Sequence, residues 1–260
     1  MFRSLILSAC LIGVVLGLLV TAVQAVGVTP ILLNAEQFEG AGEPAAHEHS
    51  GGEQAAHHHH EEAAGGHHHG DDAWAPEDGA ERTFYTTVSN IFAGIGFSAV
   101  LLVVMSQLRE RGKMMLSPSR GLLIGALGFL AVFVAPSLGL PPEVPGSAAA
   151  PLEARQLWWV FTVLMVVAGL GLVGLARGWM KLAGIPLLAI PYLFVPAHEG
   201  PLFSHPDPQA VAALTELHQQ FIWATGVTNL VFWLLAGVLS AIALKRLYKA
   251  SADQYDEATA

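Results

Sequence analysis

The chain has 260 residues, of which 53% are hydrophobic and only 13% charged, and its mean hydropathy is +0.51. A soluble domain has roughly a quarter of its residues charged, so this composition excludes an ordinary soluble protein. The net charge of −9 includes no basic patch that would suggest nucleic acid, and the single cysteine, Cys10, excludes a disulfide framework and Cys-based metal sites.

Arg3 precedes an apolar run from Leu5 to Leu33, interrupted by Gly27 and Pro30. The run exceeds the ~7–15 apolar residues of a secretory signal and suffices for a ~20-residue span. Residues 1–33 therefore read as a first transmembrane helix, a signal anchor. Val23-Gln24-Ala25 offers a cleavage site, and cleavage there would leave one span fewer. Leu7-Ser8-Ala9-Cys10 resembles a lipoprotein box but lies too close to the start to follow a signal-length apolar region.

Residues 34–83 change character. Asn34 to Glu81 holds nine of the twelve histidines, His47, His49, His57, His58, His59, His60, His67, His68 and His69, and twelve of the twenty-one acidic residues. The spacers are mostly Gly and Ala, so there is little to bury and the segment reads as a disordered loop. Neutral imidazole with carboxylate suits cobalt(II), nickel or zinc. Loose binding at several sites is expected, weakening as pH falls through the imidazole pKa of ~6.5. The bland alternative is a solvated linker.

Five further spans follow within residues 84–250: Phe84–Gln107, Gly121–Leu140, Leu157–Ala176, a short Leu182–Ala197, and Phe221–Leu244, which has an alternative start near Leu214. Residues 251–260 form a cytoplasmic tail. The fold class is all-α integral membrane, a polytopic bundle of six spans, or five if the first is removed. With the N-terminus inside, ten basic residues lie on the inner side and only Arg82 and Arg155 outside, as the positive-inside rule requires. All twelve histidines then fall at the outer face. Gly13/Gly17, Gly121/Gly125 and Gly174/Gly178 have the spacing of close helix packing. Trp158, Trp159 and Trp179 read as interface anchors.

Outside the loop, the fifth span carries Pro186, Pro191 and Pro196 and ends in His198-Glu199, with His205 close behind. Short, proline-interrupted spans free backbone carbonyls and point to a substrate site; the alternative is a kinked packing helix. In the last span His218, Thr225 and Asn229 fall within about 40° of one another at 100° per residue, a polar stripe for a cation path or for interhelical hydrogen bonds. Asn90 heads a smaller polar face, and reads more as a helix contact than a ligand. Glu143 sits in a Pro/Gly-rich outer loop, where a lone carboxylate is usually a solvated turn residue. His198, Glu199 and His218 join the loop histidines as metal ligands, and Asn90, Glu143, His205, Thr225 and Asn229 as residues of a path. There is no phosphate-binding loop, no H-E-x-x-H and no nucleophile–base constellation, so no enzyme and no prosthetic group is read. A haem held by His198 and His218 is a rival without spacing to support it.

Pro136-Ser137-Leu138-Gly139-Leu140-Pro141-Pro142-Glu143-Val144-Pro145-Gly146, followed by Ala149-Ala150-Pro151-Leu152-Glu153-Ala154-Arg155-Gln156-Leu157-Trp158-Trp159, together with the spans and the histidine tract, resembles the cobalt transporter subunit CbtA family over essentially the whole chain. The resemblance implies an inner-membrane cobalt transporter of cobalamin-making bacteria, described with five spans, working with a small single-span subunit, CbtB. It supplies no ligand set, but directs attention to Glu143 and His198. The resulting expectation is a divalent metal uptake protein whose loop concentrates ions at the periplasmic mouth. The alternatives are a membrane-anchored metal store or sensor, and a haem-bearing redox enzyme.

Overall fold

In a computed structural model the described residues, 2–38 and 76–259, form an all-helical protein without a strand among them. The elements are α1 (Phe2–Gly27), α2 (Thr29–Glu36), α3 (Ala80–Glu110), α4 (Pro118–Phe129), α5 (Ala135–Gly139), α6 (Leu152–Leu175), α7 (Gly184–Ala189) and α8 (Pro208–Thr259). Local chemistry fixes several ends. Ser117 caps α4 by accepting a hydrogen bond from the Arg120 amide at 3.2 Å, with Pro118 in the first turn. After α3, the Gly112 amide donates to the Arg109 carbonyl and the Lys113 amide to the Leu108 carbonyl, a paired closure that needs the positive φ of 66° at Gly112.

Helix α1 packs antiparallel on α3, and α4 antiparallel on α8. Both crossings are bare backbone contacts. A Cβ at Gly17 would lie 2.6 Å from the Ile91 Cα, one at Gly94 2.8 Å from the Gly13 carbonyl, and one at Gly125 2.3 Å from the Trp233 carbonyl. Gly13/Gly17 and Gly121/Gly125 thus do pack as close-approach pairs. Gly174/Gly178 does not: α6 ends at Leu175, Gly178 turns with φ 61°, and a Cβ at either would meet nothing. The close approach on that side joins Gly169 to Gly184 instead, where an added Cβ at Gly184 would lie 2.6 Å from the Gly169 carbonyl. Leu16, Leu102, Met105 and Leu244 fill the central core. Outward apolar side chains such as Leu11, Val103, Leu164 and Trp223 form the lipid-facing belt of a membrane protein.

Among the described residues five helices are long and apolar enough to cross a membrane: Arg3–Gly27, Ala80–Glu110, Pro118–Gly139, Leu152–Leu175 and Pro208–Asp253. The expected span Leu182–Ala197 is not a sixth of this kind. After a 3-10 turn (Gly178–Lys181) it consists of the six-residue α7 and another 3-10 turn (Ile190–Leu193), because its prolines cannot donate into a regular helix. The segment still returns the chain from one end of the bundle to the other. Gly184 sits beside Gly169, Pro191 beside Trp158, and Val195 beside Gly139. Both chain ends therefore lie at one end of the bundle. Helix α8 has 52 residues, about 78 Å at 1.5 Å per residue, so it projects well beyond the apolar stretch read as the last span.

The broken segment is held by side chains. The Trp158 indole donates to the Pro191 carbonyl at 2.9 Å, and the Tyr192 hydroxyl donates to the Ala135 carbonyl at 2.8 Å. Trp158 is 4% exposed and is a core residue, unlike the exposed Trp159 and Trp179. Pro136 interrupts the third crossing in the same way: residues 130–134 widen into a π turn, and the Ser137 hydroxyl donates to the Phe133 carbonyl at 2.7 Å. Trp158→Phe should lower stability by about 1–3 kcal/mol, since the buried Pro191 carbonyl loses its donor. The thermal midpoint of the purified protein in detergent reads this, and an unchanged midpoint would refute it.

Candidate metal-entry end of the bundle

The roots of the histidine-rich segment are joined at one end of the bundle. Arg82 Nη1 donates to Glu36 Oε2 at 3.0 Å and to Asp78 Oδ1 at 2.8 Å, while Nη2 donates to Glu36 Oε1. Glu36 closes α2 and Asp78 precedes α3, so one guanidinium ties together the two stretches from which residues 39–75 depart. The pairs are about one-third exposed on the arginine side, and each contributes only ~0.2–1 kcal/mol. Below them the Asn90 amide donates to Thr21 Oγ1 at 3.0 Å and Gln24 Oε1 at 2.7 Å, placing Asn90 in the α1–α3 contact.

The same end carries a cap in which Val28, Ala35, Val144, Phe203, Leu214 and Phe221 share a small apolar core. The loop before α6 meets the loop before α8 through a bridge between Ser147 and Phe203, and the Ala148 amide donates to the Leu202 carbonyl at 2.7 Å. His218 stands in this cap, 6% exposed, its ring edge-on to Phe203 at 5.9 Å and its Nδ1 buried without a hydrogen-bond partner. Glu143 accepts from Arg155 Nη1, and its charge is close enough to act on the His218 imidazole. Arg155 Nε is also buried without a partner. Glu143 and Arg155 line a cleft of about 570 Å³ walled by Pro141, Pro142 and Trp159.

The other candidate residues fall as follows. His198 and Glu199 are exposed in the turn before Gly200. His205 Nδ1 accepts from the Asp207 amide at 3.0 Å, and Asp207 Oδ1 accepts from the Gln209 amide at 2.9 Å at the start of α8. An imidazole that accepts at Nδ1 carries its proton on Nε2, so His205 presents no free lone pair in this arrangement. Thr225 donates to the Phe221 carbonyl and Asn229 to the Thr225 carbonyl, both bonds lying inside α8. No group of three or more His, Cys, Asp or Glu converges among the described residues. His47, His49, His57, His58, His59, His60, His67, His68 and His69 lie outside the described residues.

Two arginines escaped the sequence reading as functional groups. Arg82 counted only as an exception to a charge rule and Arg155 as that and as part of the family-like string, yet each holds a carboxylate at this end. Their signal in the sequence is that each is an isolated cation on a face otherwise rich in acids.

A family model described as "Probable cobalt transporter subunit (CbtA)" matches residues 2–245. No curated protein and no solved structure matches the chain.

Proposed function

The chain belongs to the CbtA family of probable cobalt transporter subunits, and from this premise we propose that it mediates uptake of cobalt(II), or the chemically close nickel or zinc, across a bacterial inner membrane. In this reading both termini are cytoplasmic and residues 39–75 are periplasmic. The basic residues support the orientation: Arg109, Arg111, Lys113, Arg120, Arg177, Lys181, Lys245, Arg246 and Lys249 gather at the end of the bundle away from the histidines. The histidine-rich segment concentrates ions over the cap, where His198, Glu199 and His218 receive them. A small single-span CbtB-like subunit completes the transporter. The first helix is retained, because its Gly13 and Gly17 face builds the bundle and the family match includes it.

The observation that carries this reading is the joining of both loop roots to the end that holds His198, His205 and His218. The test is cellular cobalt, nickel and zinc content by mass spectrometry, in cells without other cobalt uptake that express the chain with its small subunit. A selective rise in cobalt is expected. Flat metal content despite correct insertion would sink the proposal. Such a result would favour a membrane-held store or sensor.

A further inference from the structure

We propose that Glu143 and His218 form a transit site for a hydrated divalent cation, held closed by the Arg155 guanidinium until the ion takes its place on the Glu143 carboxylate. The proposal rests on the transport reading and names where in the cap the ion is handed on.

His218 is a buried imidazole with an unpartnered Nδ1. Buried polar atoms without partners are few in native proteins, and a site for an ion is one of the explanations they call for. Phe203 and Leu214 wall the imidazole off from lipid, and Val144, next in sequence to Glu143, packs in the same small core. Glu143 borders the open cleft, while its neighbour Val144 packs in the core that holds Phe203 against the imidazole. Six waters occupy about 180 Å³ at ~30 Å³ each, so a cleft of about 570 Å³ admits a fully hydrated ion.

Arg155 neutralises Glu143 in the absence of metal but is imperfectly held, since its Nε is buried and unpaired. A divalent ion brings twice the charge of the guanidinium and also takes the imidazole lone pair, which arginine cannot use. One carboxylate oxygen and one imidazole nitrogen suit cobalt, nickel and zinc better than calcium or magnesium, which prefer oxygen alone. Two protein ligands leave the remaining positions to water, so the ion is bound loosely enough to move on.

The test uses the full chain with its small subunit in the same uptake cells, scored against its amount in the membrane. Glu143→Gln, which keeps the shape and a hydrogen bond to Arg155, and His218→Ala should each lower cobalt accumulation about tenfold or more. The reversed pair Glu143→Arg with Arg155→Glu restores the ion pair but moves the carboxylate, so its uptake should stay low. His218→Cys should raise cadmium relative to cobalt, because thiolate is the softer ligand; a purely structural histidine would leave that ratio unmoved. Wild-type uptake in the reversed pair, or in both single variants, overturns the transit site while leaving the transporter intact. No cobalt rise with the unaltered chain overturns the transport reading and this inference with it.

Discussion

Gly237→Leu should separate α4 from α8 and leave the bundle unable to close. A Cβ at position 237 would lie 2.2 Å from the Gly121 carbonyl and 2.9 Å from the Gly125 Cα, and both obstacles are backbone. A flexible side chain can swing aside, but a helix backbone can only move as a body. Overpacking of this kind costs about 1–3 kcal/mol and more where nothing yields. For a chain of this size that lowers the thermal midpoint by roughly 2–12 °C, read on purified protein in detergent. Gly174→Ala is the control. Position 174 also lies in a spanning helix and shows the same four-residue glycine spacing in sequence, but no atom lies within 4 Å of its added Cβ. Alanine there should be neutral or stabilising by up to about 1 kcal/mol, through its better helix propensity. Equal behaviour of the two variants would mean that the α4–α8 contact is misplaced.

The second large effect belongs to the histidine-rich segment. Replacing all nine of its histidines with glutamine should remove most cobalt binding by the purified protein at neutral pH, measured by titration calorimetry. The unaltered chain should show a steep pH dependence. Protons compete with metal for the imidazole lone pair, so binding is full above the imidazole pKa of ~6.5 and is lost as pH falls below it. The neutral fraction of each imidazole falls about tenfold between pH 7.5 and 5.5, so a site using two of them should weaken about a hundredfold. The glutamine variant should be nearly flat over this range. A variant that binds as tightly as the unaltered chain would remove the segment from the metal pathway.

The family, the all-helical membrane class and the position of the histidine tract were legible in the sequence, because each depends on composition and spacing along the chain. A run of apolar residues must leave water wherever it goes, and a ten-to-two division of basic residues survives any arrangement of the helices. The prolines of the fifth crossing also announced that it would not be a regular helix, although not that Trp158 would satisfy the Pro191 carbonyl or that Tyr192 would donate to Ala135 of the third crossing.

The site was less legible because partnership is a property of distance. His218 and Asn229 lie on one face of α8, and angle alone joined them into a stripe. In the folded protein His218 is enclosed by the cap, while Asn229 donates to its own helix. Glu143 read as a solvated turn residue since nothing within a few positions could pair with it. Its partner Arg155 is twelve residues on, brought back by the Pro- and Gly-rich loop at the head of α6, and His218 is seventy-five residues away. Sequence by itself determined that the chain crosses the membrane and which end collects the histidines, because hydropathy and charge act residue by residue. Only the tertiary structure decided which glycines touch, which tryptophan is buried and which arginine closes on Glu143, because those outcomes depend on helix faces meeting at atomic separation.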